Sequence, residues 1–288
     1  MLVAGEHVLF HRARGFGRDT HGASPPTVLR HSLVKRKFFR LKLQRERTFA
    51  PVRTLYNLNL RQSGKMSEKI VLYYFDGRGK MESIRWLLAA AGVQFEEVLL
   101  TKREQYVKLL NDQALMFEQV PLVEMDGLQL VQSKAIMNYI AEKYKLSGKD
   151  LKERAMIDMY TEGLNDLMEM RMILPFKKPD EKQAHIGVIQ GKATSRYFPV
   201  YEKALNNSQY LVGNQFSRAD VHLMEATLML EELFPTILST FPNLKAFQGK
   251  MRSLPTISKF LQPGSQRKPQ PDDVYVKTVM EVLNIQIP

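Results

Sequence analysis

The sequence predicts a small α/β domain followed by an all-α domain, preceded by a basic N-terminal extension. Between Ile70 and Gly92 the hydrophobic pattern changes from a short β-rich run to a helical period, with a glycine-rich turn between them. From Lys149 onward no strand pattern occurs, and apolar residues recur at helical spacing. The 288 residues suffice for two domains, and 44% hydrophobic with 25% charged residues is typical of soluble globular proteins.

Residues 1–65 carry most of the net charge of +12. They contain 14 lysines and arginines against three acidic residues, whereas the remaining chain has 28 basic and 27 acidic residues. This distribution argues against nucleic-acid binding by the body of the protein. The arginine-rich, acid-poor composition is that of a mitochondrial presequence, but the few serines and the generous length favour a normally untranslated segment, with Met66 as the true start. On either interpretation we expect residues 1–65 to be disordered and outside the fold.

Several classes of site are excluded by composition. The chain has no cysteine, which rules out disulfides, zinc–thiolate sites and a cysteine nucleophile. The six histidines show no ligand-like spacing apart from His7 and His11 in the extension, so we expect no metal. No apolar run approaches the ~20 residues that span a bilayer, so we expect no stable membrane insertion.

The first domain, residues 66–146, is predicted to have the element order β-α-β-α-β-β-α. The elements are Ile70–Phe75, Met81–Gly92, Phe95–Leu100, Arg103–Leu110, Leu122–Glu124, Leu128–Val131 and Lys134–Lys145. Asp126-Gly127 predicts a tight hairpin turn, and Ser133 is predicted to cap the last helix. This order is thioredoxin-like. The end of the first strand and the start of the following helix should face one crevice, with Tyr74 at its edge and Arg78 and Lys80 just behind.

The second domain, residues 149–288, is predicted to be entirely helical. Its helices are Asp150–Leu174, Glu181–Asn206, Ser217–Leu233, Pro242–Ser253, Thr256–Leu261 and Val274–Leu283. Pro199 is expected to kink the second of these, because proline lacks an N–H. Ser217 and Asp220 predict a capping box, and the proline-rich segment Pro263–Pro271 predicts a loop before the last helix.

These motifs resemble those of the cytosolic glutathione transferases of the alpha class over residues 66–287. The resemblance rests on Tyr73-Tyr74-Phe75, Gly77-Arg78-Gly79, Met81–Gly92, Gln119-Val120-Pro121, Gln132-Ser133, Lys152–Ala155, Arg196–Pro199, Ser217–Asp220 and Phe260–Ser265. The pattern is most similar to class members that conjugate 4-hydroxyalkenals. The resemblance implies a glutathione-binding first domain and an electrophile-binding second domain, with glutathione as co-substrate and no metal.

The resemblance implies that Tyr74 donates a hydrogen bond to the glutathione thiolate and that Lys80 supplies a positive charge. Lowering the pKa of a thiol by about two units requires roughly 2.7 kcal/mol of preferential thiolate stabilisation. A charge-assisted hydrogen bond together with a nearby cation can supply an energy of this size. Tyr275 is similar to the tyrosine that polarises the aldehyde carbonyl. Two departures from the pattern matter. Lys80 replaces the usual arginine, so we expect weaker stabilisation of the thiolate. Leu110 stands where a base usually binds the glycine carboxylate, so we expect lower affinity for glutathione. Lys108 and Lys134 are the candidates to compensate.

Other site residues are implied by position. The glutathione-binding set is Tyr74, Lys80, Gln119, Val120, Pro121, Gln132, Ser133, Asp166 and Arg196. Val120-Pro121 resembles a cis-proline turn that presents its backbone to the tripeptide, whereas Asp166 and Arg196 match positions that reach a neighbouring subunit's glutathione. A homodimer follows, with Phe117 as its aromatic key. The implied electrophile pocket is lined by Phe75, Gly77, Met172, Ile173, Phe176, Pro271, Tyr275, Val276, Val279 and Leu283.

We therefore expect a cytoplasmic enzyme that conjugates glutathione to hydrophobic electrophiles, including 4-hydroxyalkenals from lipid peroxidation, in detoxification and xenobiotic metabolism. The same thiolate would support peroxidase and steroid isomerase side activities. A non-catalytic, ligandin-type carrier of apolar ligands is the alternative, which Lys80 and Leu110 keep open. If residues 1–65 are translated, they would make the protein mitochondrial or direct an interaction through their basic charge.

Overall fold

The computed structural model of the chain describes residues 69–286, so the prediction for residues 1–65 lies outside the described residues. Four strands form one sheet in the order β2-β1-β3-β4. They are β1 (Val71–Tyr74), β2 (Glu96–Leu99), β3 (Leu122–Met125) and β4 (Leu128–Val131). Strand β1 pairs in parallel with β2 and antiparallel with β3, and β3 and β4 form a hairpin. Because β1 is central, the residues at its end lie inside the domain.

Three helices complete the first domain in the predicted order. They are α1 (Glu82–Ala90), α2 (Arg103–Asn111) and α3 (Ser133–Lys143). The predicted hairpin turn is present, since Asp126 and Gly127 have φ of 55° and 72° as a tight turn requires. The prediction that Ser133 caps α3 was wrong. The helix begins at Ser133, and its hydroxyl donates to the carbonyl of Lys80 at 3.3 Å, because this tertiary contact competes with local capping.

Within residues 149–286 the second domain consists of helices and the loops between them, as predicted. Its helices are α4 (Leu151–Ile173), α5 (Pro179–Lys192), α6 (Phe198–Ala204), α7 (Arg218–Glu231), α8 (Pro242–Ser253), α9 (Pro255–Phe260) and α10 (Asp273–Leu283). A 3-10 turn, Leu174–Phe176, follows α4 directly. Ser217 and Asp220 form the predicted capping box, with the Ser217 amide and hydroxyl each 2.8 Å from the Asp220 carboxylate.

The predicted helix Glu181–Asn206 is a continuous helical run, in which a π-helical turn, Ala193–Tyr197, joins α5 directly to α6. Pro199 lies at the start of α6, which begins directly after this turn. The irregularity expected at the proline therefore lies in the wider turn just before it, which accommodates the missing N–H.

The two domains meet along α1. This helix packs against α7, which is buried along almost its entire length, and against α9. The indole of Trp86 on α1 contacts the ring of Phe260 on α9 edge-on, with 5.0 Å between centroids. Thr256 donates a hydrogen bond to the carbonyl of Ala90 at 3.1 Å. No helix within residues 69–286 is long and apolar enough to cross a membrane.

Candidate active site

The hydroxyl of Tyr74, at the end of β1, is the centre of the candidate site. Its oxygen accepts a hydrogen bond from the backbone amide of Lys80 at 3.0 Å. The hydroxyl of Tyr275 on α10 lies nearby, since both hydroxyl oxygens are within 3 Å of the position that a Cβ on Gly79 would take. Burial raises the pKa of Tyr74, while the Lys80 amide, the charge of Arg85 and the neighbouring Tyr275 act in the opposite direction. The hydroxyl is therefore neutral at pH 7. Because the Lys80 amide donates to its oxygen, the hydroxyl can donate its own proton to another acceptor.

Two glycines make room for these tyrosines. A Cβ on Gly77 would overlap the ring of Tyr275, and a Cβ on Gly79 would overlap the hydroxyl of Tyr74. Gly79 also has a φ of 39°, in the region that side chains disfavour. The glycine turn therefore allows the C-terminal helix α10 to place Tyr275 directly against β1.

The side chain of Lys80 is directed away from Tyr74. Its ammonium forms an ion pair with Glu169 on α4 at 3.2 Å, and about half of the side chain is exposed. Only the backbone amide of Lys80 contacts the Tyr74 hydroxyl. The predicted electrostatic role of Lys80 stays a prediction, and its ammonium would have to leave Glu169 to reach a ligand at Tyr74.

Arg85 supplies the buried positive charge near Tyr74, and sequence reasoning missed it. The side chain is fully buried and donates to the carbonyl of Gly77 at 2.8 Å and that of Phe75 at 3.4 Å. It also forms ion pairs with Glu82 at 3.1 Å and Glu97 at 2.8 Å. Arg85 thereby fixes the glycine turn from behind. The sequence did contain a signal for this role: Arg85 follows Glu82 by three residues on α1, a spacing that brings an acidic and a basic side chain together.

Arg78 was predicted to lie just behind Tyr74 at the crevice, but its side chain contacts the second domain instead. Its guanidinium binds both carboxylate oxygens of Glu232, at 2.5 and 2.9 Å, and donates to the carbonyl of Lys268 at 2.9 Å. Arg267 also donates to Glu232, at 2.8 Å. These bonds join the turn to the second domain, so Arg78 holds the two domains together.

The residues matched to glutathione binding in the first domain lie in two segments joined by a hydrogen bond. The Val120-Pro121 peptide bond is cis, as the resemblance implied. Gln132 has a φ of 68° and donates through its amide to the side chain of Gln119 at 3.0 Å. Ser133 follows and donates to the Lys80 carbonyl at 3.3 Å. The structure therefore connects the segment of Gln119, Val120 and Pro121 with that of Gln132 and Ser133, and the second segment with Lys80.

The residues predicted for a neighbouring subunit lie elsewhere. Asp166 on α4 and Arg196 in the π-helical turn are both exposed, and the charge of each acts on Tyr197. The guanidinium of Arg196 is 5.3 Å from the Tyr197 ring centroid. Phe117 is 58% exposed, although it is a large apolar residue.

Three of the predicted electrophile-binding residues, Phe75, Gly77 and Phe176, lie against Tyr275. Its ring is 6.5 Å from that of Phe75 and 6.3 Å from that of Phe176, measured between centroids. Val279 is buried on the same helix. The other predicted lining residues are partly buried, namely Met172, Ile173, Pro271, Val276 and Leu283.

Leu110 and its proposed substitutes give no support for a glycine-carboxylate contact. Leu110 is partly buried and packs against the core. Lys108 forms an ion pair with Asp112 at 2.5 Å, and Lys134 pairs with Glu162 at 3.2 Å. Either lysine would have to give up its carboxylate partner to bind a ligand.

Glu82, beneath the glycine turn, predicts a measurable pH effect. Burial raises its pKa from 4.5 to about 7. The negative charge of Glu225 also raises this pKa, whereas the positive charge of Arg85 lowers it. The folded protein thus binds more protons than the unfolded chain between these values, so this group's contribution to stability falls as pH rises. Glu82→Gln cannot ionise, and we expect it to gain up to about 3 kcal/mol relative to wild type as pH rises through this window.

Urea denaturation at a series of pH values measures this difference. Glu104→Gln, which removes an exposed carboxylate, is the control and should track the wild type above about pH 5. A constant difference between Glu82→Gln and wild type across the series would contradict the raised pKa.

Comparison with known proteins shows the family. Residues 70–142 match the family model for the glutathione S-transferase N-terminal domain, and residues 164–255 match that for the C-terminal domain. Glutathione S-transferase 3 of Gallus gallus is 60% identical over 222 residues, or 76% of this chain and 97% of the relative. Glutathione S-transferase alpha-4 of Rattus norvegicus is 57% identical over 220 residues, or 76% and 99%.

A solved structure agrees with these relatives. The crystal structure of a monomeric glutathione S-transferase from Necator americanus superposes with a TM-score of 0.61 at 31% identity, covering 71% of this chain and 99% of that one. The chain therefore belongs to the glutathione S-transferase family. Within the family it is an enzyme of the alpha class, which confirms the predicted fold and the predicted glutathione transferase activity.

Proposed function

We propose that this glutathione transferase holds the glutathione thiolate on the hydroxyl of Tyr74 and adds it to 4-hydroxyalkenals, with Tyr275 as the donor to the aldehyde oxygen. The observation that carries this proposal is the hydrogen bond that the Tyr74 oxygen accepts from the Lys80 amide, with the Tyr275 hydroxyl nearby over Gly79. This arrangement leaves the Tyr74 proton for the sulfur. A hydrogen bond from a neutral phenol to a thiolate is charge-assisted and favours the ionised thiol.

The reaction is a conjugate addition. The thiol of glutathione loses its proton to solvent, and the thiolate forms a carbon–sulfur bond to the β-carbon of the alkenal. The electron pair of the carbon–carbon double bond moves toward the carbonyl, whose oxygen gains negative charge that Tyr275 stabilises by donating a hydrogen bond. Proton uptake from water at the α-carbon completes the product.

In the first domain, binding of glutathione is assigned to the two segments joined by the Gln132–Gln119 hydrogen bond. In this proposal the backbone at Val120-Pro121 pairs with the tripeptide, and Gln132 with Ser133 at the start of α3 binds its γ-glutamyl carboxylate. We also infer a cytoplasmic homodimer in which Phe117 enters the partner, while Asp166 and Arg196 reach the partner's glutathione. The exposed ring of Phe117 and the proximity of both charges to Tyr197 support this assembly, which sedimentation equilibrium would test.

Turnover with two electrophiles tests the role of Tyr275. We expect Tyr275→Phe to lower kcat/KM for 4-hydroxynonenal by about tenfold or more, because the developing oxyanion loses a donor. Turnover of an aryl halide, which has no such carbonyl, should change little. Tyr144→Phe, at the end of α3, is the control that removes a remote hydroxyl.

Two outcomes would reject parts of this proposal. Equal losses on both electrophiles would assign Tyr275 to packing over Gly77 rather than to the aldehyde. A wild-type protein that binds apolar dyes without turning over either electrophile would favour the carrier function, with Lys80 and Leu110 as the first residues to examine.

A further inference from the structure

A buried arginine interrupts the core-facing side of α4. The buried positions of this helix are Ile157, Thr161, Leu164, Leu167 and Arg171. Arg171 is only 3% exposed. A guanidinium stays charged in proteins, and a buried charge is costly unless other groups satisfy it.

Within residues 69–286, the hydrogen bonds of Arg171 are incomplete. Its Nη2 donates to the side-chain oxygen of Gln270 at 3.3 Å, and its Nε has no acceptor in this part of the chain. The negative charge of Glu232 acts on the pKa of Arg171. The Glu232 carboxylate, however, is already bound by Arg78 and Arg267. Three guanidinium groups therefore surround one carboxylate, and the Nε of Arg267 also lacks an acceptor among the described residues.

Arg171 lies near the glycine turn of the candidate site. The charge of Arg78, which stands between the two glycines that lie against Tyr275 and Tyr74, acts on Arg171. The last turn of α4 also carries Met172 and Ile173, and Gln270, the partner of Arg171, directly precedes Pro271. These three neighbours belong to the apolar lining proposed above. A ligand lying against this lining would have its apolar body beside the two segments that carry Arg171 and Gln270.

We propose that Arg171 and Gln270 form a binding site for a carboxylate on the substrate, so that the enzyme prefers unsaturated aldehydes whose far end is a carboxylate over neutral analogues. The Nε and Nη2 edge of a guanidinium matches the two oxygens of a carboxylate, and such paired bonds are the strong ones. A monoanion on a hydrocarbon chain also suits an otherwise apolar pocket. This inference rests on the proposed conjugation of alkenals and specifies their class.

The test compares an α,β-unsaturated aldehyde that ends in a carboxylic acid with its methyl ester. Both have the same reacting carbon, so the ratio of their kcat/KM values reports the far end alone. We expect wild type to favour the acid and Arg171→Leu to lose about tenfold or more of that ratio, with turnover of the ester retained. Arg154→Leu removes an exposed arginine from the same helix and should keep the wild-type ratio.

A binding measurement separates this proposal from the proposed function. Dodecanoate and methyl dodecanoate are competed against an apolar fluorescent dye, which needs no glutathione and no turnover. Weaker displacement by dodecanoate in Arg171→Leu, with the methyl ester unchanged, supports the carboxylate site even if alkenals are not substrates. Equal displacement by both ligands in wild type, or an acid preference that survives in Arg171→Leu, would overturn it. Arg171→Gln, which keeps a polar side chain, takes the place of Arg171→Leu if that variant does not fold.

Discussion

Tyr74→Phe is expected to lower kcat/KM for glutathione conjugation by about 100-fold with every electrophile. The substitution removes the hydrogen-bond donor that stabilises the glutathione thiolate. The substitution keeps the ring that contacts Phe75 at 5.1 Å and removes only the hydroxyl. The pKa of bound glutathione should rise by up to about two units toward that of a free thiol, so less thiolate is present at pH 7. The loss should diminish as pH rises, because hydroxide then ionises the thiol without the tyrosine.

The thiolate's ultraviolet absorbance, recorded against pH on the glutathione complex, measures this shift directly. Tyr73→Phe is the matched control, because the preceding residue of β1 donates to Glu124 at 2.8 Å on the other face of the sheet. It should leave the thiol titration unchanged. A Tyr74→Phe enzyme with wild-type titration and turnover would show that another group ionises the thiol.

Arg85→Leu is expected to destabilise the protein by about 3–5 kcal/mol, the usual cost of leaving a buried carboxylate without its cation. Glu82 would lose its cation, Glu97 would keep only Lys268, and the carbonyls of Gly77 and Phe75 would lose a donor. The urea denaturation midpoint measures the change. Activity should fall as well, because the glycine turn that positions Tyr74 is no longer fixed.

Two further variants isolate the cause. Arg154→Leu breaks an exposed ion pair with Glu142 and should cost no more than about 1 kcal/mol. The double variant Arg85→Leu/Glu82→Gln removes the stranded carboxylate of Glu82 and should be more stable than Arg85→Leu alone. If the double variant is no more stable, the loss arises from packing and not from unpaired charge.

The parts of this structure that short sequence patterns determine were predictable. The hairpin turn at Asp126-Gly127 and the capping box at Ser217 each follow from a few neighbouring residues with defined backbone preferences. The order of strands and helices follows from hydrophobic periods in the same way. The cis peptide at Pro121 and the site around Tyr74 required the resemblance to a family, because no local rule assigns them.

Contacts between distant segments were not predictable. Arg78 binds Glu232, 154 positions away, and the hydroxyl of Ser133 reaches Lys80 instead of capping its own helix. The local pattern around each residue is compatible with several partners, and only tertiary packing selects one. Arg171 is the clearest case, since a charged residue in the last turn of a helix ordinarily indicates exposure.

The packing of Trp86 against Phe260 has a practical consequence. Trp86 is the only tryptophan in the sequence, and its ring lies where α1 of the first domain meets α9 of the second. The guanidinium of Arg267 is 5.9 Å from the ring centroid, which ties the indole to the cluster around Glu232. Because indole emission shifts to longer wavelength in water, the intrinsic fluorescence of the unlabelled protein reports whether its two domains are docked.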